Sequence, residues 1–263
     1  MEISYEMRRW IAIGLILAAP TLGLAQEADD ADATPRWRGQ ADLGASFFFG
    51  NTEQTLVTTR TVAAHATEAV EVAGEASFTY GETTTEDDDE QVNRRSWLVK
   101  LATSFHPMEN VSPYATGTVE SSLEKRIDLR YAVGLGANFN VLARPETKVD
   151  FSVSALSERT VASLTQSADT TGRRTTLLRG SARFRAEHAI NDHVRFTSET
   201  TYQPALRELD RFTVQSLTSL GYQMHRLLAL TVSLRDSYDS DARTRGAREN
   251  NEGEVVLGLQ TKF

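Results

Sequence analysis

The chain has 263 residues, five histidines, no cysteine, 40% hydrophobic residues and a formal net charge of −8. The absence of cysteine excludes a disulfide framework, thiolate chemistry and a lipid-modified N-terminal cysteine. The negative charge gives a nucleic-acid partner no electrostatic basis.

In chain order, Arg8 and Arg9 form a short basic start, followed by an apolar run from Ile11 to Leu24. At about 14 residues this run has signal-peptide length and is too short for a transmembrane helix. Gly23 and Ala25 suit cleavage after Ala25. The expected division is therefore a signal peptide over 1–25, an acidic periplasmic lead over 26–36 and a β-barrel over 37–263. An uncleaved anchor is the alternative, disfavoured by the small residues and the polar continuation EADDADATP.

From Trp37 the pattern becomes dyadic. Trp37, Gly39, Ala41, Leu43, Ala45, Phe47 and Phe49 share one face, and Arg38, Gln40, Asp42, Gly44 and Ser46 the other. The second segment, from Gln54 to His65, is weaker. Val57, Thr59, Thr61 and Ala63 are assigned outward because the opposite phase would put Arg60 in lipid, at about 2–4 kcal/mol near mid-depth. The third sets Val72, Gly74, Ala76, Phe78 and Tyr80 against Glu71, Glu75, Ser77 and Thr79. After the polar GETTTEDDDEQ comes a fourth, with Trp97, Val99, Leu101, Thr103 and Phe105 opposite Lys100.

The fifth, from Ser112 to near Glu124, is poorly patterned. The sixth is the clearest: Ile127, Leu129, Tyr131, Val133, Leu135, Ala137, Phe139 and Val141 alternate with Asp128, Arg130, Gly134, Gly136, Asn138 and Asn140. The seventh presents Val149, Phe151, Val153 and Ala155, and a Ser/Thr-rich loop is expected from there to about Gly172. The eighth carries Leu178, Gly180, Ala182, Phe184 and Ala186 against Arg179, Arg183 and Arg185. The ninth ends where Pro204 is expected to begin a loop. The tenth holds Phe212, Val214, Leu220, Tyr222 and Met224, and the eleventh runs from Leu228 towards Tyr238. The last, VVLGLQTKF, alternates to a terminal Phe263. A chain ending mid-strand would leave an open edge unless that strand closes a barrel on the first.

Twelve segments is the even count that single-chain outer-membrane barrels require, and loops after the third, seventh and eleventh are long where those after the second, fourth, sixth, eighth and tenth are short. The expected fold is all-β: a transmembrane antiparallel up-and-down barrel of about 12 strands. Trp37, Phe105, Tyr131, Tyr222 and Phe263 fall towards strand ends, where aromatic girdles form. A soluble sandwich would also alternate, but with strands of about five or six residues rather than about ten.

The segments WRGQADLGASFFFGNTEQ, RYAVGLGANFNVL and GLQTKF resemble the YdiY-like, salt-induced outer-membrane proteins, a β-barrel family catalogued as a domain of unknown function. The resemblance covers Trp37 to Phe263. It implies the fold, the outer-membrane location and a link to osmotic or envelope stress, and it carries no catalytic residue. Phe263 also resembles the terminal signal read by the Gram-negative barrel-assembly machinery, which would be a partner alongside outer-membrane lipids and lipopolysaccharide.

Function is sought in the inward charges. Asp42, Glu71, Glu75, Glu120, Asp128 and Asp150 form an expected acidic wall, and Arg179, Arg183, Arg185, Arg195, Arg211 and Arg235 a basic wall facing it. Such a field would orient ions or small charged solutes in a narrow channel. The alternative is that these groups pair across the interior and shut it, leaving a structural or surface-interaction barrel. Twelve strands lie between filled eight-stranded and open sixteen-stranded barrels.

The run Glu86 to Glu90 lacks the spacing of a calcium loop and reads as solvated. Arg243, Arg245 and Arg248 are weak candidates for lipopolysaccharide phosphates. An outer-leaflet lipid hydrolase is the least favoured reading, because His65, His106, His188, His193 and His225 all fall on the periplasmic side, away from where a general base would act. No metal-ligand spacing is present, and no cofactor, catalytic residue or metal site is expected.

Overall fold

The structure, a computed structural model, describes residues 37–48, 53–84, 90–162 and 174–262. The expected signal peptide, the lead and Phe263 lie outside these residues. So do the expected loops at 85–89 and 163–173, and with them most of the acidic run. Twelve strands follow one another: β1 (Trp37–Phe48), β2 (Glu53–Ala66), β3 (Val70–Thr84), β4 (Glu90–Phe105), β5 (Val111–Ser122), β6 (Ile127–Ala143), β7 (Thr147–Ala162), β8 (Arg174–Ala189), β9 (Val194–Ala205), β10 (Glu208–His225), β11 (Leu228–Asp239) and β12 (Asn251–Lys262). Each pairs antiparallel with its sequence neighbours, and β12 closes on β1 with Gln40 opposite Lys262 and Gly44 opposite Gly258. Closure gives every strand a partner on both sides, so no open edge remains.

The period-2 alternation decides which residues face outward. Leu101, Val133, Leu135, Val141, Val255 and Leu257 are all exposed on the barrel exterior. A continuous apolar band of this kind far exceeds the roughly few hundred Å² tolerated by soluble monomers, and it is the surface a lipid bilayer requires. Aromatic contacts lie towards both ends. Trp37 packs on His65 and Tyr222 near His193 at the end where β1 begins and β12 finishes, here the near end; the outward-phase rings of Tyr202, Phe212 and Tyr238 pack in sequence towards the far end.

Between the outward residues of β6, Gly134 and Gly136 face β7 closely. A Cβ at Gly134 would overlap the Ala155 carbonyl oxygen, and one at Gly136 the Val153 carbonyl oxygen. The glycines in VGLGAN thus permit the β6–β7 approach.

Three local expectations are corrected. Ile127, assigned outward, is 1% exposed, and Asp128, assigned to the lumen, is exposed instead. A register shift between Ile127 and Leu129 against β7 adds one residue and inverts the phase at the start of β6. Pro204 does not begin a loop: it lies within β9 beside the register shift between Glu208 and Phe212, and the connection is Leu206 and Arg207 alone. A proline is tolerated there because the ladder is already irregular. Finally, β7 continues to Ala162, past the point where a loop was expected.

Candidate functional site

Inward residues of the far half form a buried ion cluster. Arg130 on β6 reaches Glu120 on β5 at 2.9 Å, Glu158 on β7 at 3.9 Å and Asp239 on β11 at 2.8 Å. Arg179 on β8 meets Glu158 at 2.9 Å, and Arg245 meets Asp239 at 2.7 Å. The Arg130 side chain is 7% exposed and that of Asp239 2%. Four strands separate β6 from β11 around the barrel one way and six the other, so the Arg130–Asp239 contact spans the bore.

The cluster is also well hydrogen-bonded. Arg130 Nε donates to Thr160 Oγ1, Arg179 Nη1 to the Gln203 carbonyl, and the Asp241 N–H to Asp239 Oδ1. The β11–β12 connection lies over it, with one 3-10 turn at Arg243–Arg245. Arg245 Nε donates to the Lys125 carbonyl in the β5–β6 turn, and Lys125 Nζ donates to Ser237 Oγ on β11. Arg245, considered as a phosphate contact, is thus turned into the cluster, while Arg243 and Arg248 remain exposed.

Nearer the middle, Lys100 on β4 meets Glu199 on β9 at 3.8 Å, a second contact across the bore. Arg60 on β2 binds Glu75 at 2.7 Å and lies 3.8 Å from Asp42. These residues border two cavities. The near one, of about 450 Å³, is lined by Asp42, Arg60, Glu75, Lys100, Arg183, Arg185, Arg195 and Glu199 and reaches the 191–193 turn. The far one, of about 290 Å³, shares Arg60, Glu75, Lys100, Arg183 and Glu199 and extends to Arg130 through Ser96, Thr116, Thr118, Ser154 and Ser181.

The expected opposing walls become locally neutralised groups. On the acidic side, Asp42 and Glu75 share Arg60, Glu71 pairs with Arg38 at 3.2 Å, and Glu120 pairs with Arg130. On the basic side, Arg179 pairs with Glu158, Arg195 with Glu187, Arg211 with Asp241 and Glu208, and Arg235 with Glu254. Charges one or two strands apart lie closer together than walls facing across the bore and so attract more strongly, which accounts for this sorting.

Asp150 sits opposite Arg185 in the β7–β8 register without reaching ion-pair distance, and Asp128 joins neither wall. Arg183 and Arg185 have no ion-pair partner within 4.0 Å among the described residues. Sequence reasoning missed Glu158 and Asp239. Glu158 is in phase with Asp150, Ser152 and Ser154, but the apolar Leu156 between them, also inward and buried, disguised the continuation.

Among solved structures, the chain is similar to a NanC porin at 12% identity and a TM-score of 0.47, covering 87% of this chain and 100% of that one. It is similar to a KdgM porin in complex with disordered oligogalacturonate at 10% identity and a TM-score of 0.41, covering 85% and 99%. The translocator domain of autotransporter NalP from Neisseria meningitidis matches at 12% identity and a TM-score of 0.41, covering 98% and 95%. No curated protein matches the chain. Residues 41–263 match the family described as "Protein of unknown function, DUF481", and the chain belongs to that family.

Proposed function

We propose that the chain is an integral outer-membrane barrel whose lumen is a narrow path for ions or small charged solutes, restricted at the far end by the Arg130 cluster. The observation that carries this reading is the pair of cavities of about 450 and 290 Å³ that share a charged border inside a closed barrel. An apolar exterior supports membrane insertion, and a charged narrow interior discriminates solutes by sign. Export would follow cleavage before Gln26, checked by the N-terminal mass of the membrane-extracted protein. A role in osmotic or envelope stress belongs to this proposal, and growth of a deletion strain in high and low salt tests it.

The direct test is single-channel recording of refolded protein in a planar bilayer. Small, ion-selective conductance steps are expected. The second reading, a closed structural or surface-interaction barrel, draws on the Arg130–Asp239 and Lys100–Glu199 contacts across the bore. A bilayer containing demonstrably inserted protein but no steps would overturn the channel and favour that reading.

A further inference from the structure

We infer that Arg183 and Arg185 form an oxyanion-binding seat in the near cavity, taking the carboxylate or phosphate of a small solute. The inference deepens the channel reading by naming a ligand class, and it is tested separately from conduction.

The two arginines stand two residues apart on β8, so both project from the same inner face. Both line the near cavity, and Arg183 also lines the far one, placing it at the border between them. The remaining described cations lining the near cavity are occupied: Arg60 by Glu75, Lys100 by Glu199, Arg195 by Glu187 and Arg235 by Glu254. Arg183 and Arg185 have no such partner, and the Arg183 Nε is buried with no hydrogen-bond acceptor among the described residues.

A buried guanidinium donor left unmatched costs free energy comparable to a lost charged hydrogen bond. An oxyanion accepting from two neighbouring guanidinium groups recovers that cost, and the planar fork of arginine suits carboxylate and phosphate. Asp150 and Glu199 are close enough to act electrostatically on both arginines. Neither forms an ion pair with them, so they temper the positive field without filling the seat. The volume of about 450 Å³ lies within the roughly 300–1,000 Å³ typical of small-molecule sites.

The experiment is isothermal titration of the full mature barrel, refolded in non-ionic detergent, with sodium gluconate, inorganic phosphate and the uncharged sorbitol. Gluconate or phosphate is expected to bind while sorbitol does not, and the Arg183→Gln/Arg185→Gln double variant should weaken the preferred anion about tenfold or more. Tighter gluconate binding identifies a carboxylate guest and tighter phosphate binding a phosphate one, and either upholds the seat. Arg248→Gln, removing an exposed arginine from the β11–β12 connection outside both cavities, should leave affinity unchanged. Heat-modifiable gel migration verifies that each variant is folded. If the double variant does not fold, the single Arg185→Lys variant, which keeps the charge but loses the fork, should weaken binding severalfold. No anion binding by the wild type, equal loss in Arg248→Gln, or affinity unchanged in the folded double variant or in Arg185→Lys would overturn the seat. Titration needs no open path, so a silent bilayer would refute conduction and leave this binding result standing.

Discussion

Around Arg130, three carboxylates and three guanidinium groups meet in a cluster matched charge for charge and almost closed to solvent. Around Arg183, in the near half of the same lumen, two guanidinium groups stand without ion-pair partners among the described residues, beside a cavity. Both regions use the same residue types on the same strand faces. The difference is reach: Glu120, Glu158 and Asp239 converge from three strands onto one guanidinium, whereas Asp150 and Glu199 stay beyond contact with Arg183 and Arg185. Complete matching makes a region a structural tie, and incomplete matching leaves donors for a solute.

The largest expected effect separates the two regions by stability. Arg130→Met leaves Glu120, Glu158 and Asp239 buried without their shared cation, and removing one partner of a buried ion network costs about 3–5 kcal/mol. Arg183→Met removes a partly buried cation with no paired carboxylate and should change stability by no more than about 1 kcal/mol. Urea unfolding of each variant refolded into lipid vesicles measures both. Equal losses would mean that the near arginines are also structural.

Next in size is the far-end cover. Replacing Arg243–Glu249 by a short glycine linker removes the Arg245 contacts to Asp239 and to the Lys125 carbonyl. A lost hydrogen bond to a charged group costs about 1.5–3 kcal/mol, and the unfolding midpoint should fall accordingly. Single-channel conductance should rise in the same variant, because the connection over the Arg130 cluster is gone. Conductance unchanged at lower stability would show that the bore is limited elsewhere, with the Lys100–Glu199 contact the next candidate.

The sequence carried the exterior well and the interior charge pairing poorly, for a physical reason. Outward residues such as Val133, Leu135, Leu257 and Leu259 obey a single rule, contact with lipid, that repeats every second residue and needs no knowledge of partners. Inward residues are chosen by what faces them across the bore. Asp239 and Arg130 are 109 positions apart, and nothing local marks them as a pair.

Local phase also broke where a bulge intervened, as at Asp128, or where an apolar residue turned inward, as at Leu156. Pro204 misled for a related reason, since a proline at an irregular ladder position resembles a loop start. Many of the inward charges between Asp42 and Arg235 were thus legible, but Asp128 was misplaced, Glu158 and Asp239 were missed, and the pairing was not legible at all.

The Lys100–Glu199 pair stands at the border between the cavities. Lys100→Met leaves Glu199 part-buried without its nearest cation, and a destabilisation of about 1–2 kcal/mol is expected, smaller than at Arg130 because the side chains retain partial solvent access. Reversal potentials in a salt gradient should shift towards cation preference, since a negative group is uncovered at the constriction. A shift towards anions would place the limiting field at Arg183 instead.

The smallest effect is expected at Arg195, and its smallness is informative. Its side chain is 48% exposed, near the 191–193 turn at the mouth of the near cavity, and its partner Glu187 is one strand away. Water reaches the Arg195 side, so Arg195→Gln should alter stability by less than about 1 kcal/mol, the range of an exposed ion pair. Any change in conductance should vanish at high salt, because the Debye length falls from about 10 Å at 0.1 M to about 3 Å at 1 M. The conductance of Arg183→Gln should differ from wild type at both salt concentrations, since a partly buried guanidinium whose Nε is out of solvent is screened less. Conductance traces of the two variants at low and high salt therefore separate charge at the mouth from charge at the border: persistence at Arg195 would move the selective element to the turn, and disappearance at Arg183 would leave the near cavity as an ordinary solvated vestibule.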